Sequence, residues 1–186
     1  LTTNAGTFWQ RTRPIEVNAS NIASVKYEEL TSTDLQYGNV NQMSLDTLNL
    51  GIGDYEFSID QNSYQDQPEF GNLTPGIHQL YINDKNNCGE IYLDFSIIGF
   101  YRFFTPNSDG YNDYWNVFGI DENHQSNSEV YIFDRYGKLI AQIDPLSQGW
   151  DGTINGKPLP DTDYWFRLKL EDGRTAKGHF SLIRGY

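Results

Sequence analysis

Apolar and polar residues trade places at every second position over much of this chain. Residues 54–59, DYEFSI, set Tyr55, Phe57 and Ile59 on one side. GIHQLYIND at 76–84 follows an NLTPG turn, and EIYLDFSII at 90–98 follows NNCG. SVKYEEL at 24–30 and MSLDTLNL at 43–50 alternate more loosely. Period two over four to eight residues, bounded by Asn, Gly, Pro and Asp, predicts half-buried strands. The pattern resumes after residue 99. YWNVFGI at 114–120 predicts one strand, and EVYIFDRYGKLIAQI at 129–143 predicts a hairpin turning at Tyr136-Gly137. In DYWFRLKL at 163–170, Tyr164, Phe166, Leu168 and Leu170 share one side, with Trp165, Arg167 and Lys169 on the other. An Asp-Gly turn at 172–173 predicts the return strand KGHFSLIR at 177–184. No segment repeats with helical period. The expected fold is all-β, two small antiparallel Ig-like β-sandwich domains in tandem. Their expected bounds are 15–98 and 99–186. Residues 1–14 read as the tail of a preceding repeat or a cloning remnant, and the whole as a piece of a longer protein. The short aromatic connection at Gly99 suggests domains that lean on each other.

Composition supports that reading. Aromatics make up 15% of the 186 residues, with 17 Gly and 7 Pro, which suits strands and turns rather than disorder. Net charge is −12 and uneven: residues 1–98 hold 4 basic and 13 acidic residues, and 99–186 hold 9 and 12. Without a basic stripe the chain is a poor match for nucleic acid or anionic lipid. No run of apolar residues is long enough for a helical membrane span. Cys88 is the one cysteine, so no disulfide closes within the sequence.

Catalytic chemistry finds little support. There is no G-x-S-x-G elbow and no H-E-x-x-H, and His78, His124 and His179 are scattered. Asp161 and Asp163 flank Thr162 as a turn would, more than as an acid–base pair. No catalytic residue is expected. The polar centre of FFTPNSDGYNDYW, 103–115, is more suggestive. Asn107, Asp109, Asn112 and Asp113 around Gly110 offer oxygens of the kind calcium takes. The loop matches an EF-hand only in part, and any site would need help from Asp121 or Asp151. The other reading is a turn in which Asn and Asp satisfy the local backbone. Trp150, before Asp151-Gly152, is either an aromatic plug or a sugar-stacking ring.

Five blocks in order, F-T-P-N-S-D-G-Y-N-D, I-F-D-R-Y-G-K, W-D-G-T-I-N-G-K-P-L-P, D-Y-W and K-G-H-F-S-L-I-R, resemble the gliding motility-associated C-terminal domain. That domain is the type B sorting domain of the type IX secretion system in Bacteroidota. Ser108 stands where Gly is usual. Residues 15–98 more loosely resemble the Ig-like repeat that precedes this domain in large surface adhesins. The resemblance implies a secreted cell-surface protein, such as a gliding adhesin, whose last domain is read by the outer-membrane machinery. The implied partners are a PorP/SprF-like protein and a shuttle protein, and the implied location is the cell surface or beyond. Recognition is expected at Phe104, Thr105 and Pro106, at Asp134, Arg135 and Tyr136, and along Lys177, Gly178, His179, Phe180, Leu182 and Arg184. A calcium-dependent carbohydrate-binding module, or an appendage of a secreted hydrolase, stays open as an alternative.

Overall fold

The computed structural model describes residues 12–14, 19–35 and 41–184. The expected tail at 1–14 lies almost wholly outside them. After a single 3₁₀ turn at Tyr27–Glu29 come β1 Leu30–Thr33, β2 Gln42–Leu45, β3 Tyr55–Ile59, β4 Glu69–Gly71, β5 Gly76–Asp84 and β6 Glu90–Ile97. There follow β7 Gly99–Phe100, β8 Phe103–Phe104, β9 Val117–Phe118, β10 Glu129–Phe133 and β11 Leu139–Ile143. The last are β12 Thr153–Ile154, β13 Lys157–Pro158, β14 Thr162–Lys169 and β15 Thr175–Leu182. No described helix is long and apolar enough to cross a membrane.

The first six strands form two three-stranded sheets, ordered β1-β2-β4 and β3-β5-β6. Alternation turns Met43 and Leu45, Phe57 and Ile59, Leu80 and Ile82, and Phe95 and Ile97 toward one another, all nearly free of solvent. Each such side chain contributes about 1.5–3 kcal/mol by leaving water. The later strands form a five-stranded sheet, β11-β10-β14-β15-β8, faced by the short β7-β9 pair. A second core gathers Val130, Ile132, Tyr164, Phe166, Leu168, Phe180 and Leu182 from the sheet, with Ile98, Trp115 and Val117 from the facing side. Trp115 stacks on Phe180 with ring centroids 3.8 Å apart. The chain is thus an antiparallel all-β, Ig-like sandwich architecture. The exception is β8, which runs parallel to β15 and pairs only with Ser181 and Leu182.

The two cores divide between neighbouring residues, Ile97 entering the first and Ile98 the second. The surrounding contacts are close. A Cβ on Gly99 would lie 2.2 Å from Pro75 Cγ, and one on Gly119 (φ +81°) would lie 2.4 Å from the Ile97 carbonyl oxygen. Only glycine fits either position without displacement. The Ile98 N–H donates to Asp34 Oδ2 at 2.9 Å, and Arg174 Nη1 donates to Asp34 Oδ1 at 2.7 Å. Asp34 thereby joins the first-core side to the turn after β14. Burial raises the Asp34 carboxyl above the ordinary carboxylate range, against the opposing pull of the Ile98 N–H and Arg174.

Four predicted strands are shorter, displaced or different. Within 24–30 the chain makes the 3₁₀ turn, because the Glu29 carboxylate accepts from the Lys26 N–H and the Glu29 N–H bonds Lys26 O. At 43–50 the strand stops at Leu45. Asp46 Oδ1 then accepts from the Leu48 N–H in an Asx turn, and Leu50 swings back into the core. At 114–120 only Val117 and Phe118 pair, since the Asn116 amide reaches across to Pro145 O and Ser147 O. The final strand begins at Thr175 and ends at Leu182, two residues earlier at each end than expected.

Candidate recognition surface

The 105–114 loop is held by its own side chains. Asp113 Oδ1 accepts from the backbone N–H groups of Asn107 (3.0 Å) and Ser108 (2.6 Å), and its Oδ2 from that of Gly110 (2.8 Å). Asp109 Oδ1 accepts from the Tyr111 N–H at 2.8 Å, and its Oδ2 from Asn107 Nδ2 at 2.8 Å. These donors, the Tyr111 N–H first, hold the Asp109 carboxyl below its usual range. Asn112 enters through its carbonyl, which accepts from the Thr105 N–H at 2.7 Å. Ser108, where Gly is usual, takes φ +64° within this circle of hydrogen bonds. The side chains of Asn107, Asp109 and Asp113 therefore already satisfy N–H donors of their own loop, and Asn112 does so through its carbonyl. Asp121 is engaged by His124 and by the backbone N–H groups of Asn123 and His124, and Asp151 by the Thr153 N–H.

The residues expected to meet a partner separate into three groups. Phe104, Phe180 and Leu182 are fully buried, so no partner can touch them while the fold is intact. This corrects their assignment to a recognition surface. Alternation alone could not show that the two-residue β8 completes the core. Asp134, Gly178 and Arg184 are structural. Asp134 Oδ1 closes the hairpin by accepting from the N–H groups of Tyr136 and Lys138. Gly178 lets Phe166 approach, since a Cβ there would meet its ring at 2.8 Å. Arg184 ties the end of β15 to the 152–161 segment through Gly152 O, Leu159 O and Asp161. Arg135, Tyr136, Lys177 and His179 do face solvent, and Tyr136 is 85% exposed. Thr105 and Pro106 are half-buried.

Trp150 is a plug. It is 4% exposed, packs edge-on to Tyr164, and donates from its indole to Thr153 O at 2.9 Å. Asp161 pairs with Arg184, and Asp163 Oδ1 accepts from the Ser181 hydroxyl at 2.5 Å. His78 is buried between Asp60 Oδ2 and Thr74 O, both at 2.7 Å. Cys88 is exposed. Among the described residues no three His, Cys, Asp or Glu side chains gather as metal ligands would.

What the sequence reading passed over is the outward side of β14. Its exposed Trp165 and Arg167 join Phe133 and Lys177 in a groove of about 840 Å³. The signal was present as the polar phase of the 163–170 alternation, but its meaning depends on which residues lie across the neighbouring strands.

Taken together, this is an all-β protein that presents turns, an edge strand and a grooved sheet face. Residues 98–182, just under half of the chain, match the CHU_C type IX secretion signal domain. The match supports the sorting-domain resemblance and begins at the residue where the second core begins. No curated protein matches the chain. Three solved structures are distantly similar. Dimeric latent PorU from Porphyromonas gingivalis is 15% identical over 84% of this chain, with a TM-score of 0.33. The BSP domain of a biofilm associated protein is 15% identical over 84%, TM-score 0.33. Tp47, the 47-kilodalton lipoprotein of Treponema pallidum, is 9% identical over 83%, TM-score 0.31. The alignments span 20%, 29% and 50% of those chains. At such scores the likenesses carry no argument.

Proposed function

We propose that residues 98–184 are the label by which the type IX machinery takes this chain to the cell surface, and that the preceding sandwich is a spacer carried with it. The observation that carries the reading is the match of residues 98–182 to a secretion signal domain. The site geometry agrees with a label rather than a catalyst: the polar loop is satisfied internally, and the outward residues are a Tyr-Arg hairpin tip and a strand edge. Strand edges and surface patches are what a receptor grips. The machinery's component would be a PorP/SprF-like outer-membrane partner, with a shuttle protein, and the parent protein a gliding or surface adhesin.

The test fuses residues 98–186 to a monomeric fluorescent passenger in a type IX-competent bacterium. The expected result is passenger on the surface or in the medium, lost in a strain lacking the translocon. A passenger retained in the periplasm sinks the reading.

A further inference from the structure

We propose that the outward face of β10, β14 and β15 docks an extended acidic segment of a partner protein, gripped by Arg167 and Lys177 beside an aromatic floor. Arg167 and Lys177 are directly opposite each other in the β14–β15 register, and both side chains are exposed. Like charges so placed destabilise a sheet. The neighbouring cations of the same two strands and their turn are neutralised: Lys169 has Glu129 across the strands, and Arg174 has Asp34 and Asp172. Arg167 and Lys177 have no carboxylate in ion-pair range among the described residues. In a chain of net charge −12, two unneutralised cations facing each other across paired strands are a local excess that an incoming anion would relieve.

The surroundings define the anion's carrier. Two residues along the strand, Phe133 and Trp165 are paired, and Trp165 is 40% exposed. With Thr175 they line the same groove as the two cations. An exposed aromatic floor takes apolar side chains, so the ligand alternates carboxylate and apolar groups. The groove also runs to an open edge. β8 covers only Ser181 and Leu182, so on the side away from β14 no described strand pairs with Thr175–Gly178. A segment added there as a strand sets every second side chain on the groove face. A carboxylate beside Lys177 then places a side chain two residues along beside His179, whose ring lies 6.3 Å from that of Trp165. These features favour a peptide over a polysaccharide or a lipid surface. The inference deepens the export reading and rests on it only for the partner's biological role.

The probe is a ten-residue synthetic peptide with Glu and Leu in turn at alternate positions and Thr between them. It is titrated into the full ¹⁵N-labelled chain. Expected are shifts at the Thr175–Gly178 amides and the Trp165 indole, and affinity that falls with salt. Binding should weaken at least about tenfold in Arg167→Glu/Lys177→Glu, and also in Trp165→Ala. If the charge reversal unfolds the chain, Arg167→Gln/Lys177→Gln takes its place. No binding, equal binding to the variant, or tighter binding of polygalacturonate or phosphatidylglycerol vesicles at this face each overturns the proposal. Wild-type passenger export separately judges the label, so either idea can fail alone.

Discussion

Replacing Arg174 with Met tests the junction between the two cores. The substitution keeps most of the apolar stem and removes the guanidinium. Asp34, with only 3% of its side chain exposed, then keeps the Ile98 N–H but loses its counter-ion. A buried charge left unpaired costs about 3–5 kcal/mol, whereas an exposed pair contributes about 1 kcal/mol or less. The Arg174 side chain is 38% exposed, so solvent screens the interaction. The expected loss lies between those limits, at about 2 kcal/mol, or about 4–8 °C in Tm. The pH dependence follows from the direction of the Asp34 shift. Its folded pKa is already raised by burial, and losing Arg174 raises it further. The native variant therefore binds the proton more readily than the unfolded chain, and its stability falls as pH climbs through that window. The deficit should be full near pH 7 and smaller near about pH 4, where protonated Asp34 needs no counter-ion. Urea unfolding at both pH values measures this, with Asp34→Asn and the double variant completing a cycle. Asn keeps an acceptor for the Ile98 N–H, so the double variant should recover much of the loss. A deficit below about 0.5 kcal/mol, or one that does not shrink in acid, refutes the reasoning.

Other outcomes follow from single contacts. Gly119→Ala puts a methyl group 2.4 Å from the Ile97 carbonyl oxygen at positive φ, and thermal melts should show at least about 2 kcal/mol of destabilisation. Asp113→Ala strips the acceptor from three loop N–H groups. Hydrogen exchange at Asn107, Ser108 and Gly110 should quicken by about tenfold or more, while the Trp115–Phe180 core stays protected. Calcium added to the wild type should leave those exchange rates unchanged, because the Asp113 and Asp109 oxygens already accept from their own loop; slowing on calcium addition would restore the ion-binding reading.

The strands most legible in the sequence were those whose alternation matched one buried face. β14 reads directly, since Tyr164, Phe166 and Leu168 are buried while Trp165, Arg167 and Lys169 face water. Segment 24–30 misled because Tyr27 alternates yet stays 45% exposed, and a local carboxylate bends the chain. The Asp-Gly turn held more than a strand boundary. Counting outward from it through Lys169 and Thr175 places Arg167 opposite Lys177. The Asp34–Arg174 bridge joins residues 140 apart, and no local pattern announces such a partner. Phe104 was misplaced for the same reason, because its burial depends on a parallel partner near the far end of the unit.

That parallel clasp also governs timing. Ser181 and Leu182 close against Phe103 and Phe104, and Phe180 supplies the ring on which Trp115 rests. During synthesis from the N-terminus, the second sandwich therefore emerges with its first and last pieces nearly eighty residues apart, and its aromatic interior stays open until residue 182 leaves the ribosome. The described strands of the first sandwich are complete by Ile97, although its Asp34 carboxylate still waits for Arg174. A nascent chain thus carries one finished body and one unfinished body, and the unfinished one is the part that a holding chaperone would find.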